Sequence, residues 1–241
     1  MMNDLVEIRK QEHDTPFLVS NSHIHTESKV FIASTRLEIE KIEHFRYSVY
    51  INELEKPLPW ANHQKKTLAD PLDKEGFHFY SLNKQGEVAS CGRLHYGKSL
   101  PGNVAKNLNL ERFIDGYKGK VAYISKLMTA STMRSGILTA RLMGSMYVHS
   151  REQGCVLGFC HASPELSNLY INLGLHVLES SFIDPYVGSQ VPLALILEDE
   201  HQFSNKKSIF LPYSKLFIND ENNVKELIKD LNLKSDFRYA K

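Results

Sequence analysis

The chain has 241 residues, of which 42% are apolar and 24% charged, and its formal net charge is +1. That balance is ordinary for a soluble globular protein and supplies no global basic field for nucleic acid. No apolar run approaches the roughly 18 residues that a transmembrane segment needs, and the charged opening, residues 1–14, lacks the apolar stretch of a secretion signal. Three cysteines, Cys91, Cys155 and Cys160, form an odd and sparse set. Such a set fits a cytoplasmic protein with buried thiols better than a disulfide framework or a metal site.

In chain order, residues 1–29 read as a polar N-terminal arm or a short first element. His23 and His25 within it have no cysteine or carboxylate cluster around them, so solvated or packed histidines are the reading rather than ligands. Residues 30–33 read as a strand. Ser34 or Thr35 can cap the next helix, and Glu38 stands three residues after Thr35 at the spacing of a capping box. Ile39, Ile42, Phe45, Val49 and Tyr50 recur at helical spacing. Arg46 falls among these apolar rows, so it is expected to be buried or partnered. The helix should end before Pro57 and Pro59.

Residues 55–75 show no strong periodicity and read as a long loop, a length that marks a functional segment. Residues 76–82 and 88–95 read as a hairpin turning at 83–86. A second loop region, residues 97–119, is expected to hold a short helix around 108–114, and residues 121–129 a strand. The clearest helix is 136–153, with Leu138, Leu142, Met146 and His149 in one stripe and Gly154 as its stop. A buried strand follows at 156–160, then a helix with Ser163 as N-cap, Pro164 at its first position and a stop at Gly174. Residues 175–182 and 191–197 read as a closing strand pair, 222–231 as a last helix and 234–241 as a tail. The order is α+β around one sheet. It gives one domain over residues 30–198 and a C-terminal extension, 199–241, with one helix.

Two sets of residues carry a family resemblance. The run Arg46-Tyr47-Ser48-Val49-Tyr50, with Trp60, Asp70, Asp73 and Arg93, resembles the N-terminal half of acyl-homoserine-lactone synthases and the related long-chain N-acyl amino acid synthases. Met133-Arg134-Ser135-Gly136 opening a helix, with Asn168 to Gly174 further on, resembles the cofactor-binding half of the GNAT acyltransferase fold to which both belong. The resemblance spans about residues 30–197. It favours the N-acyl amino acid synthase branch, including relatives found with exosortase systems.

The resemblance implies a GNAT fold, with a central mixed, mostly antiparallel sheet flanked by helices. It implies transfer of a medium or long acyl chain to the amine of an amino acid or similar small molecule. The donor would be an acyl-carrier-protein or coenzyme A thioester, serving as co-substrate, with no permanently bound cofactor and no metal. Acyl carrier protein is then the expected partner. Leu127, Met128, Arg134, Ser135 and Gly136 would hold the phosphopantetheine: a helix N-terminus offers unpaired N–H groups to phosphate, and backbone N–H groups near Leu127 and Met128 would face the oxyanion. Tyr170 would protonate the departing sulfur, or it is a core-facing residue closing its helix. Arg46, Tyr50, Trp60, Asp70, Asp73 and Arg93, with Ser125 and Lys126, would line the acceptor side and order the loop 55–75. Scattered surface charges are the alternative for that set. The apolar slot between strands 121–129 and 156–160 would take the acyl chain.

Two departures stand out. Leu138 occupies the position of a second glycine or alanine, which disfavours a full nucleotide pyrophosphate and with it a coenzyme A-dependent acetyltransferase. Tyr123-Ile124-Ser125-Lys126 replaces the synthases' Glu-x-Ser-Arg, and a neutral phenol is a poor base near pH 7. His161, at the end of the next strand, is the candidate to take the amine proton, or it is a satisfied structural residue. Tyr123 is also the feature that favours a catalytically silent acyl- or carrier-protein-binding module.

Overall fold

The computed structural model describes residues 17–18, 29–97, 113, 116–117, 120–131, 136–178 and 181–233. Strand β1 (Phe17–Leu18) pairs with β2 (Val30–Ile32). Helix α1 (Arg36–Tyr47) starts at Thr35, whose side chain accepts from the Glu38 N–H while the Glu38 carboxylate returns to the Thr35 N–H at 2.9 Å. This is the expected capping box. Glu38 is also buried, taking a 2.6 Å hydrogen bond from Tyr80, so the cap is tied to the sheet as well. α1 passes into a π-helical turn (Ser48–Glu53), which ends the helix ahead of Pro57.

The long stretch 55–75 is more ordered than its lack of periodicity suggested. It contains a small hairpin, β3 (Ala61–Asn62) with β4 (Thr67–Leu68), and a 3-10 turn (Pro71–Glu75). Strands of two residues are too short to carry an alternation signal. The 3-10 turn has its own reciprocal cap. The Asp70 side chain accepts from Leu72 N–H, and Asp73 Oδ2 accepts from Asp70 N–H at 2.7 Å, with Pro71 at the first position.

The expected hairpin is β5 (Phe77–Leu82) and β6 (Val88–Tyr96). β7 (Val121–Thr129) follows, then α2 (Ile137–Glu152), β8 (Leu157–Ala162) and α3 (Pro164–Asn172). The short helix expected around 108–114 lies outside the described residues except for Phe113, which is helical and buried. Ser163 stands at the cap of α3, but its hydroxyl accepts no N–H there; it serves the Glu165 carboxylate. The closing strands come in three pieces: β9 (His176–Val177) and β10 (Phe182–Asp184) both pair with the long β11 (Gly188–Ile196).

The extension beyond residue 198 was expected to hold one helix; its described residues hold three: α4 (Glu200–Lys206), α5 (Leu211–Ser214) and α6 (Glu221–Asp230). The first two are too short for helical periodicity to register. Phe203, Phe210 and Tyr213 from that region pack with Tyr147, Leu193, Leu195 and Leu197, while Val224, Leu227 and Leu231 pack with Phe159 and Ile196 on the other side of the sheet.

Apart from the β3–β4 hairpin, the described strands form one sheet in the order β1-β2-β5-β6-β7-β8-β11-β10, with β9 also on β11. Every pairing is antiparallel except β7 with β8. α1 covers one face through Ile42, Phe45 and Val49 against Tyr80, Cys91 and Met128. α2 covers the other through Leu142 and Met146 against Phe79, Leu94 and Ala122. All three cysteines are free and buried.

Candidate active site

The site follows from an irregularity in the sheet. β7 and β8 are in register only from Val121↔Leu157 to Tyr123↔Phe159, although β7 continues to Thr129 and β8 to Ala162. Beyond Tyr123 the two strands part. A second irregularity lies on the other edge of β7, where Arg93 pairs with Ser125 and Cys91 with Met128, so Lys126 and Leu127 together face Gly92. Lys126 has the left-handed φ of +54° that such a bulge imposes. The parting strands open a cavity of about 770 Å³ that runs through the sheet.

On the α1 face the cavity is edged by a continuous chain of charges. Arg46 and Arg93 each place Nη1 2.7 Å from Asp73 Oδ1. Arg93 Nη1 also lies 3.2 Å from Asp70 Oδ1, and Lys126 Nζ lies 2.7 Å from Asp70 Oδ2. Arg93 Nε donates to Ser125 Oγ at 3.1 Å. Both guanidiniums are 1% exposed, which is tolerable only because every one of these charges is partnered. Lys126 Nζ is further flanked by the rings of Tyr50 and Trp60, 5.1 and 5.8 Å from their centroids. Arg46, Tyr50, Trp60, Asp70, Asp73, Arg93, Ser125 and Lys126 are therefore brought together, as the sequence led us to expect.

The carboxylates respond accordingly. Burial alone would raise Asp70, but Lys126 and Arg93 overcome it and hold the acid well below the usual carboxylate range. Burial likewise opposes ionisation of Asp73, and Arg46 and Arg93 reverse the effect.

Two histidines that the sequence reading passed over pin the 3-10 turn to the sheet. His78 is pushed down to about 4 by burial and by the neighbouring Arg46. It is neutral at pH 7. Nε2–H then donates to the Asp73 carbonyl at 2.9 Å, leaving Nδ1 to accept from Arg46 Nη2 at 3.1 Å. His95 Nε2 lies 2.8 Å from the Leu72 carbonyl. Both project from β5 and β6 towards the loop, on the face that carries Arg93. The alternation of those strands was the available signal.

Tyr123 and His161 also meet. The Tyr123 hydroxyl is 3.1 Å from His161 Nδ1, and Phe182 packs edge-on against the imidazole at 5.5 Å. Burial pushes the Tyr123 phenol up, so it remains protonated. Burial lowers His161 below 6.5, with Asp184 opposing and Lys126 reinforcing the shift. Tyr170 lines the cavity from α3, and burial pushes its phenol up. Trp60 meets Tyr186 edge-on at 5.1 Å, so the segment before β11 closes that end of the cavity.

On the α2 face the cavity is apolar. Leu127 lines it from the bulge, and Met128, also on the wall, packs against the α1 cluster. Gly136 caps α2 with a φ of +84°, a conformation that suits glycine, and Thr129 Oγ1 is 2.7 Å from Thr139 Oγ1, joining the end of β7 to the start of the helix. Arg134 and Ser135 lie outside the described residues. Leu138 is buried and serves the core. Among the described residues no group of three potential metal ligands converges, and no helix is long and apolar enough to cross a membrane.

No protein-family model matches the sequence, and no curated protein does. Solved structures do match. FeeM, an N-acyl amino acid synthase from uncultured soil microbes, superposes with a TM-score of 0.59 at 12% identity, covering 78% of this chain and 98% of FeeM. The acyl-homoserine-lactone synthase LasI gives 0.55 at 15% identity over 72% of this chain and 91% of LasI. BjaI, a CoA-dependent acyl-homoserine lactone synthase solved with SAM and isopentyl-CoA, gives 0.54 at 12% identity over 74% of this chain and 92% of BjaI. At these identities the likeness concerns the fold. With its mostly antiparallel sheet, its helices on both faces and its one parallel, splayed strand pair, the chain has the α+β GNAT-type fold of the acyl-homoserine-lactone and N-acyl amino acid synthases.

Proposed function

We propose that this chain is an N-acyltransferase that moves a medium or long acyl group from a thioester to the amine of an amino acid or similar small molecule. The observation that carries the reading is the cavity through the sheet. It joins an apolar chamber to the Arg46–Asp73–Arg93–Asp70–Lys126 network at the point where β7 and β8 part. Of that network Arg93, Asp70 and Lys126 stand on the cavity wall, and the Lys126 ammonium, beside the Tyr50 and Trp60 rings, is the cation that would meet the carboxylate of an amino-acid acceptor.

In this reading the thioester carbonyl lies at the bulge, where N–H groups near Leu127 and Met128 would stabilise the oxyanion; one such donor is worth ~3 kcal/mol. The amine attacks the carbonyl carbon, and the carbon–sulfur bond breaks as the amide forms. The thiolate takes a proton through Tyr170, which is reprotonated in turn by the proton removed from the amine, so that no free phenolate remains. His161 takes the amine proton. For Nε2 to be the accepting atom, Nδ1 must carry hydrogen and donate it to the Tyr123 oxygen, so Tyr123 positions the base instead of acting as one. The donor's phosphopantetheine arm would reach the cavity past Arg134, Ser135 and Gly136, carried by acyl carrier protein or by coenzyme A.

A catalytically silent acyl-binding module is the second reading, favoured by Tyr123 at the synthases' glutamate position. Purified protein incubated with acyl-carrier-protein and coenzyme A thioesters and a panel of amino acids separates the two. Acceptor-dependent thiol release with an N-acyl product by mass spectrometry supports the transferase. Thioester binding without release with any acceptor supports the module.

A further inference from the structure

The apolar half of the cavity has a floor and an end wall with particular geometry. Gly158 lies opposite Ala122 in the parallel register, where the strands begin to part. A Cβ placed on it would stand 3.3 Å from Ile124 Cδ1 and 3.5 Å from Leu197 Cδ1, so a side chain there would push these two wall residues into the chamber. The end wall is Tyr147 of α2 stacked on Phe210, ring centroids 5.4 Å apart and planes 25° from parallel. Tyr147 is fixed there because its hydroxyl donates to the Leu197 carbonyl. Phe210 comes from the extension that follows the last strand, so a segment outside the sheet closes the chamber.

We propose that Gly158 and the Tyr147–Phe210 pair gauge the acyl chain and set its preferred length at about 12 to 14 carbons. The inference rests on the acyl-transfer reading above. Leu127 and Ala122 both stand on the cavity wall, and a chain laid between them would follow β7 back from the bulge. Five residues at about 3.3 Å each give roughly 17 Å, the extent of about 13 carbons at roughly 1.3 Å per carbon. Each methylene that the chamber covers is worth about fourfold in affinity, and a carbon beyond the wall gains nothing.

The experiment uses straight-chain acyl-carrier-protein and acyl-CoA thioesters of eight to sixteen carbons with the amino-acid panel, read as kcat/KM for acceptor-dependent thiol release. The same thioesters are titrated by calorimetry without acceptor. The wild type should peak near 12 to 14 carbons in both measurements. Gly158→Val should move the optimum at least two carbons shorter, and Phe210→Ala at least two carbons longer. Gly158→Ala and Phe210→Leu give the same directions in smaller steps should the larger changes unfold the protein, which a thermal melt reports. Folded variants that keep the wild-type length profile overturn the gauge. If no thioester is turned over, the transfer reading fails on its own, and the calorimetric series still decides: a length-dependent affinity that the variants shift supports the gauge, while an affinity flat across the series overturns it.

Discussion

The two faces of the sheet around β7 and β8 solve opposite problems. On the α1 face the wall carries the charges of Arg93, Asp70 and Lys126, with Asp73 and Arg46 behind them, all paired at 2.7–3.2 Å. On the α2 face they are methionine, leucine, glycine and a stacked aromatic pair. A charge network adds little net stability once desolvation is counted, but its partners leave few alternative positions, so it fixes geometry. An apolar wall rich in Met143 and Met146 adapts its shape at small cost. The comparison assigns precise placement to one side of the cavity and accommodation of a flexible chain to the other.

The largest expected effect is on chemistry at the seam between the faces. His161→Gln should keep the fold and lower the rate about 10²–10⁴-fold, the span of a general base. Because burial lowers its pKa below 6.5, the wild-type rate at limiting acceptor should lose, below 6.5, the contribution of the neutral imidazole, a limb separate from the rise that the acceptor amine's own ionisation gives at higher pH. An active His161→Gln protein with an unchanged pH profile would remove His161 from the mechanism.

Next comes a pairing of variants across the sheet. Arg46→Ala leaves Asp73 short of one partner and should cost about 3–5 kcal/mol, with loss of activity in the protein that remains folded. Leu142→Ala, on the α2 face and fully buried, should cost about 2–5 kcal/mol but leave the acceptor geometry intact. Denaturant melts and KM for the acceptor, measured on both, would break the comparison if Leu142→Ala raised that KM as much as Arg46→Ala.

Acid should weaken both faces in different windows: buried His149 of α2, pushed down to about 4, loses its contribution as pH falls from 6.5 towards 4, and the carboxylates of the charged face follow below that. The carboxyls of Asp70 and Asp73 lie lower in the folded state than their ordinary 3.8, so their stabilisation is complete above that value and is lost as pH falls through the folded-state values. Unfolding midpoints should therefore fall steeply below about pH 4. The fall should be shallower in Asp70→Asn, whose amide no longer titrates; an equal slope in the two proteins would mean that Asp70 is not held low.

The smallest effect belongs to a half-exposed pair. Arg36 meets Glu43 at 2.7 Å; its own side chain is 72% exposed while that of Glu43 is 4% exposed, so Arg36→Ala leaves a buried carboxylate short of a partner but lets water in at the vacated place, and should cost about 1–3 kcal/mol, less than Arg46→Ala. A shift equal to that of Arg46→Ala would show that burial of both partners is not what sets the Arg46 result.

The charged half of this site was legible because charge in an apolar row is conspicuous. Arg46 among Ile42, Phe45 and Val49 announced burial, and the capping box at Thr35 and Glu38 fixed where its helix begins. The fold order followed from the periodicity of the 136–153 helix and the alternation of 76–95. The apolar half was not legible. Met146 and Leu142 read as one core stripe, and nothing in a linear sequence distinguishes a methionine lining a cavity from one filling a core. Gly158 gives no signal until Ile124 and Leu197 are seen converging on it. The hairpin at 61–68 and the helices α4 and α5 were missed because each is shorter than the window over which a period can be recognised. His78 and His95 were missed because their partners are backbone carbonyls of the 3-10 turn, which carry no side-chain signature.

The central claim is that the cavity brings an acyl thioester and an amine together. The direct measurement is thiol release from an acyl-carrier-protein or coenzyme A thioester of about 12 to 14 carbons, with and without an amino-acid panel, with the product identified by mass spectrometry. The account predicts release that depends on the acceptor, saturates with it and yields an N-acyl amino acid. Release that is the same with and without every acceptor, or none above the uncatalysed rate, would contradict it.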